Sequence, residues 1–317
     1  MKIKGSAKKL KALPVIAALG VLAVAFIGLR FYQSAAQIDP ATGFFMNDKH
    51  WSVPLFYVLA GVLVIGAPIL LYLTPLSRAE GVAIRRRPVH AAAALCFASF
   101  ILAECISVWK NRGAAQLAGD ESVRNLFTSE RLAVAFLVLG GLSVVSLVLD
   151  AVDFLACRGF IKKIRLLRLA PPVWAGIATL NIFTVTVSYL HNSTLLLLIF
   201  GNVAMMLFLF AYARKVSSIA GDENSPFFFV TGILTVAFQL AATLPTLFKV
   251  CEPIVHCDFE WYRVAGAVYA LTAIAVVLLD KSPDIDAEIP AAEQEAVEAA
   301  EEAAEAAPEA VRDGDEA

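Results

Sequence analysis

Eight apolar runs of membrane-spanning length dominate the sequence and leave it few folds. They cover Leu13–Tyr32, Val53–Leu73, Pro88–Val108, Leu132–Leu149, Ala170–Leu190, Leu195–Ala213, Phe227–Phe248 and Trp261–Leu279. A helix rising about 1.5 Å per residue needs around 20 apolar residues to cross about 30 Å of hydrocarbon. Lipid offers no partner to a bare amide, so runs of this length are helices, and the period-two alternation of a membrane barrel is missing from them. Of the 317 residues 59% are hydrophobic and 17% charged, too little charge to coat a soluble chain of this size. The fold class predicted is all-α: a polytopic transmembrane bundle of eight spans over residues 13–279. A basic N-terminus (1–12) precedes it and an acidic Ala/Glu-rich tail (280–317) follows.

Basic residues orient the bundle. With the N-terminus in the cytoplasm, seventeen Lys and Arg fall on inner segments and eight on outer segments or their edges. Positive charge favours the cytoplasmic side, so both termini are expected there, in a plasma membrane. Trp51, Trp109 and Trp261 then fall at outer span ends and Trp174 near an inner one, as an aromatic belt requires. A cleavable signal peptide ending at Ser34-Ala35-Ala36 is the rival reading of the first span, although its apolar stretch is long for that purpose. The tail carries a net charge of −12 over residues 284–317 against +10 for the rest. Glu298, Glu301, Glu302 and Glu305 repel one another at helical spacing, and the tail has no aromatic residue to build a core. It is expected to be disordered, and to be a contact for another membrane or cytoplasmic protein.

The loops carry three features. In Ile38–Phe45, "IDPATGFF", Asp39 suits a cap, Pro40 a first helical position and Gly43 a left-handed turn ending, with Thr42 between them. Phe44 and Phe45 would then pin this turn to the membrane surface or the bundle mouth, making it a candidate outer-loop contact. The stretch resembles a segment of uncharacterised multi-span membrane proteins of clostridial-type bacteria, in which a DPxTGFF-like phrase follows the first span; the resemblance implies no activity. In "CEPIVHC", Cys251 and Cys257 share the last outer loop. That spacing admits a disulfide, two free thiols, or a metal site completed by His256 and Asp258. On the inner side, "RGFIKKIRLLRL" sets Arg158, Lys162, Lys163, Arg165 and Arg168 among apolar residues, as in a helix lying on an anionic leaflet.

Ionisable residues avoid the centres of the runs. Arg30 and Glu104 lie near the outer boundary, where snorkelling suffices, and Asp150 and Asp153 at the inner end of the fourth span. "DAVDFLACR" resembles the opening of the CDP-alcohol phosphatidyltransferase motif at Asp150, Asp153 and Arg158. It departs at Phe154 and Cys157 and lacks the two downstream Asp, which leaves a metal site half built, so carboxylates paired with the basic segment are the simpler reading. No HExxH, GxSxG or P-loop pattern occurs.

Softer polarity forms stripes. Asn181, Thr184 and Ser188 share one face of the fifth span, and Thr231, Thr235 and Gln239 one face of the seventh. Such stripes join helices by hydrogen bonds, with Gly140, Gly141, Gly266 and Ala270 permitting close approach, or face each other across a polar cavity. Pro68 and Pro245 are candidates for kinks. The expected function is a non-enzymatic membrane component or sensor, with outer loops as its recognition surface. A small-solute permease using the two stripes is the alternative, and a lipid-modifying enzyme the third reading. The lipid bilayer is the expected partner, with no cofactor and no nucleic acid.

Overall fold

The computed structural model describes residues 4–39, 44–73, 87–118, 130–156, 164–186, 193–217, 225–248 and 261–279. They form eight helices, each containing a segment long and apolar enough to cross a membrane, and no β-sheet occurs among them. The chain is thus a multi-pass, all-α membrane protein. In order, the helices are α1 (Lys4–Ala36), α2 (Ser52–Leu73), α3 (Pro88–Ala118), α4 (Glu130–Ala156), α5 (Ala170–Thr186), α6 (Ser193–Val216), α7 (Ser225–Leu247) and α8 (Trp261–Leu279). We call the end where α1 begins and α8 finishes basal, and the opposite end apical. Pro40, Thr42, Gly43, Ser188, Cys251, Cys257 and the tail 280–317 lie outside the described residues, as does the side chain of Thr184.

Neighbours run α3, α4, α5, α6, α7, α1, α2, and α8 packs against α3, α5 and α7. Its side chains touch a different partner at nearly every turn. Trp261 stacks on Phe100 of α3, Tyr262 meets Trp174 of α5 edge-on, and Ile274 lies on Gly232 of α7. Large rings alternate with Ala265, Gly266, Ala267, Ala270 and Ala273, so neighbours approach wherever α8 is thin. Gly266 is such a point: a Cβ there would stand 2.8 Å from the sulfur of Met205 and 3.3 Å from the ring of Phe97. Burial follows this arrangement, with 72% of the α7 span buried against 22% of α2, whose outward face is Val, Leu, Ile and Tyr turned to lipid.

Pro68 produces a local rearrangement. Val62–Gly66 form a π-helical turn just before it, in which the Ala67 amide reaches back to the Val62 carbonyl. A proline removes one amide from the ladder, and widening the preceding turn keeps the remaining ones bonded. At the apical end, Met46 N–H donates to Gln37 O (2.8 Å) and Asp39 N–H to Phe44 O (3.0 Å), so the two sides of the "IDPATGFF" turn are clamped antiparallel. Phe44 is exposed and Phe45 half-buried.

Three expectations are corrected by burial. Trp174 is not a belt residue: it is fully buried, packed between Phe136 of α4 and Tyr262 of α8. Arg30 does not snorkel outward; it is 1% exposed, lies 5.5 Å over the Phe56 ring and donates to Ser193 Oγ (3.1 Å). A Cβ on Gly141 would meet no atom within 4 Å, so only its neighbour Gly140 serves close approach.

Candidate functional site

Among the described residues, the most densely connected polar group lies about 9 Å inside the basal end of α4, six residues before Ala156, at Asp150. This carboxylate is 4% exposed. One oxygen, Oδ2, accepts from Tyr212 of α6 (2.9 Å) and from Tyr269 of α8 (2.8 Å). The other, Oδ1, accepts from Arg168 Nη2 (3.1 Å). His90 of α3 stands 3.8 Å from Oδ2 through its Nε2, which lies 2.9 Å from the Tyr212 hydroxyl. Its Nδ1 is 3.0 Å from the Thr272 hydroxyl of α8. One carboxylate thus joins α4, α6, α8 and the segment before α5, with α3 attached through His90.

Local structure explains how Arg168 arrives. Arg165–Leu169 form a 3-10 turn that leads into α5 at the depth of Asp150. Within it Leu166 is 82% exposed and Arg168 only 6%. This reverses the leaflet-surface expectation for Arg168: the basic side chain points into the bundle and the leucine out of it. The reason is pairing, since an arginine at this depth is costly in lipid and a buried carboxylate is available to it. Arg158, Lys162 and Lys163 lie outside the described residues.

Arg168 keeps unused capacity. Its Nε and Nη1 are buried and find no acceptor among the described residues. Beside them is a cavity of about 20 Å³ lined by Ser146, Asp150, Arg168, Pro171, Tyr212 and Tyr269. That volume suits a single water molecule with several polar neighbours. Both Asp150 oxygens already face donors, and no group of three or more His, Cys, Asp or Glu among the described residues is placed to share a metal ion.

A second polar group lies nearer the apical end. Asn202 Oδ1 of α6 accepts from Gln239 Nε2 of α7 (2.9 Å) and from Arg263 Nη1 of α8 (3.4 Å). Gly201 makes this contact possible, because a Cβ there would stand 3.2 Å from the Gln239 side-chain carbonyl. The striped residues therefore divide. The hydroxyls of Thr231, Thr235 and Thr243 donate to carbonyls one turn back in α7, while Gln239 reaches across to another helix. Asn181 is half-buried on α5. Replacing Gln239 by Leu is expected to cost about 1 kcal/mol, the usual worth of such a contact in a membrane protein, read as a fall in melting temperature in detergent. An unchanged melting temperature would show that this contact does not hold α6 to α7.

His90, Arg168, Tyr212, Tyr269, Asn202 and Arg263 were not among the candidate site residues of the sequence. Comparison of the chain with protein-family models, with curated proteins and with solved structures returned no match.

Proposed function

We propose that this chain is a non-enzymatic, multi-pass component of the cytoplasmic membrane, acting as a sensor or as a member of a larger assembly. One observation carries the reading: the buried carboxylate of Asp150 has both oxygens occupied by donors from neighbouring elements. Its three donors come from α6, α8 and the segment before α5, so this carboxylate is engaged in joining helices. A joint of this kind, with few alternatives for its charges, has discrete rather than graded arrangements, which is what a relay across a membrane uses. The outer loops, including Asp39–Phe45, are the recognition surface, the acidic tail is the cytoplasmic contact, and both termini are cytoplasmic. Removing residues 284–317 is expected to eliminate at least one partner from in-cell crosslinking; an unchanged set of partners would count against the tail contact. A tag after Ala317 that reacts with an impermeant reagent on intact cells would overturn the orientation.

A permease is the second reading, favoured by the stacking of two polar groups along the same helices. On α6, Asn202 and Tyr212 are about 15 Å apart along the axis, and on α8 Arg263 and Tyr269 about 9 Å. Met205, Phe208 and Phe97 lie buried in the same core cluster. Uptake of a small solute that is lost in a folded Gln239→Leu variant would favour transport over sensing.

A further inference from the structure

We propose that His90 is a reversible proton-binding site inside the membrane, holding one proton at Nε2 and taking up a second at Nδ1, with the Thr272 hydroxyl turning to serve either state. The argument is a count of hydrogens. Tyr212 and Tyr269 own one hydroxyl hydrogen each, and an Asp150 ionised beside Arg168 takes both at Oδ2. The Tyr212 oxygen then has only lone pairs to offer His90, 2.9 Å away, so Nε2 must be the N–H that donates to it. This fixes the neutral tautomer: Nδ1 is bare and accepts from the Thr272 hydroxyl at 3.0 Å.

Thr272 has a second place for its hydrogen. Its hydroxyl lies 2.9 Å from the carbonyl of Tyr269, one turn back in α8. When Nδ1 gains a proton, the ring donates to the Thr272 oxygen and the hydroxyl hydrogen turns to that carbonyl. Both protonation states are therefore fully bonded with every heavy atom in place; the added proton is given up by hydronium, whose O–H bond breaks as the Nδ1–H bond forms. Thr272 is half-buried and His90 is 1% exposed.

Each packed element contributes to the ring's surroundings. From α4 come the Asp150 carboxylate, 3.8 Å from Nε2, and the Phe154 ring, edge-on. From α6 comes Tyr212, and from α8 the Tyr269 ring, stacked on the imidazole at 5.0 Å and 18°. Arg168, from the segment before α5, sits on the opposite carboxylate oxygen. With His90 neutral the group carries no net charge. With His90 charged it carries one net positive charge, lying against the π face of Tyr269. The ligand is thus a proton, and the site stands on this geometry whether the bundle senses or transports.

The test is nitrogen NMR of histidine-labelled protein in nanodiscs. In a H50Q/H191Q/H256Q variant His90 is the sole histidine, and in the wild type its signal is the one lost on H90Q. Near pH 8 we expect Nε2 as the N–H and Nδ1 bare; on lowering to about pH 4, Nδ1 becomes an N–H while Nε2 stays one. Thr272→Val should abolish that change over the same range, and Thr272→Ser should keep it. A proton on Nδ1 rather than Nε2 near pH 8, a ring unchanged throughout while the protein stays folded, or a Thr272→Val variant that titrates like wild type would overturn the proposal.

Discussion

Asp150→Ala is expected to remove about 3–5 kcal/mol of stability, more than any other single substitution proposed for this protein. The change leaves Arg168 buried without its counter-charge and takes the acceptor from two tyrosine hydroxyls at once. Paired removal should be gentler. In Asp150→Ala/Arg168→Met neither charge remains, and a thioether chain replaces the guanidinium in an apolar setting, so most of the loss should return. Asp150→Asn should fall between, because its side-chain oxygen still accepts from a tyrosine but cannot neutralise Arg168. Melting temperatures in one detergent give all three values. A double variant no more stable than Asp150→Ala would mean that the cost comes from the tyrosines, and an Asp150→Ala variant that melts with the wild type would remove the joint altogether.

The spans were legible in the sequence because lipid imposes one requirement on every residue of a run, and length alone reports it. What the runs do inside the bundle was less legible. The stripe of α7 reads Thr231, Thr235 and Gln239 as equals by period, yet a threonine can satisfy itself on its own helix and a glutamine has to find a partner elsewhere. Gln239 was thus found from its position, but Asn202, its partner, sits alone in a run of Leu, Phe and Met. Tyr212 and Tyr269 count as apolar in a hydropathy window, although each carries a hydroxyl that must be bonded once buried.

Depth was the signal that period could not supply. His90 lies two residues into α3, Asp150 six residues before the end of α4 and Tyr212 four before the end of α6, all counted from the same basal end. Polar residues at matching depth in different spans are candidates to meet, whichever face they occupy. Arg168 was legible in part. Pairing of Asp150 with the basic segment follows from the sequence and is observed, but which basic residue turns inward is set by the 3-10 turn that carries Arg168.

Gly140 and Gly141 are adjacent, and the same substitution should act on them in opposite directions. Gly140 faces α3 and α5, where a Cβ would run into the Cys105 sulfur and stand 3.3 Å from the Trp174 indole nitrogen. Both of those side chains are buried and packed, so Gly140→Ala forces α3 and α4 apart or moves the indole, at about 1–3 kcal/mol. Gly141 points to open space, and there alanine only removes the conformational freedom that glycine loses on folding, for a gain of up to about 1 kcal/mol. Cys105→Ala in the Gly140→Ala background deletes the obstructing sulfur and should return much of the loss, while Cys105→Ala alone costs only a small cavity. Since all of these variants differ by a few atoms within the same two helices, their melting temperatures report the α3–α4 contact and little else. If Gly140→Ala proved as stable as Gly141→Ala, the two helices would have to be farther apart than the side chains between them require.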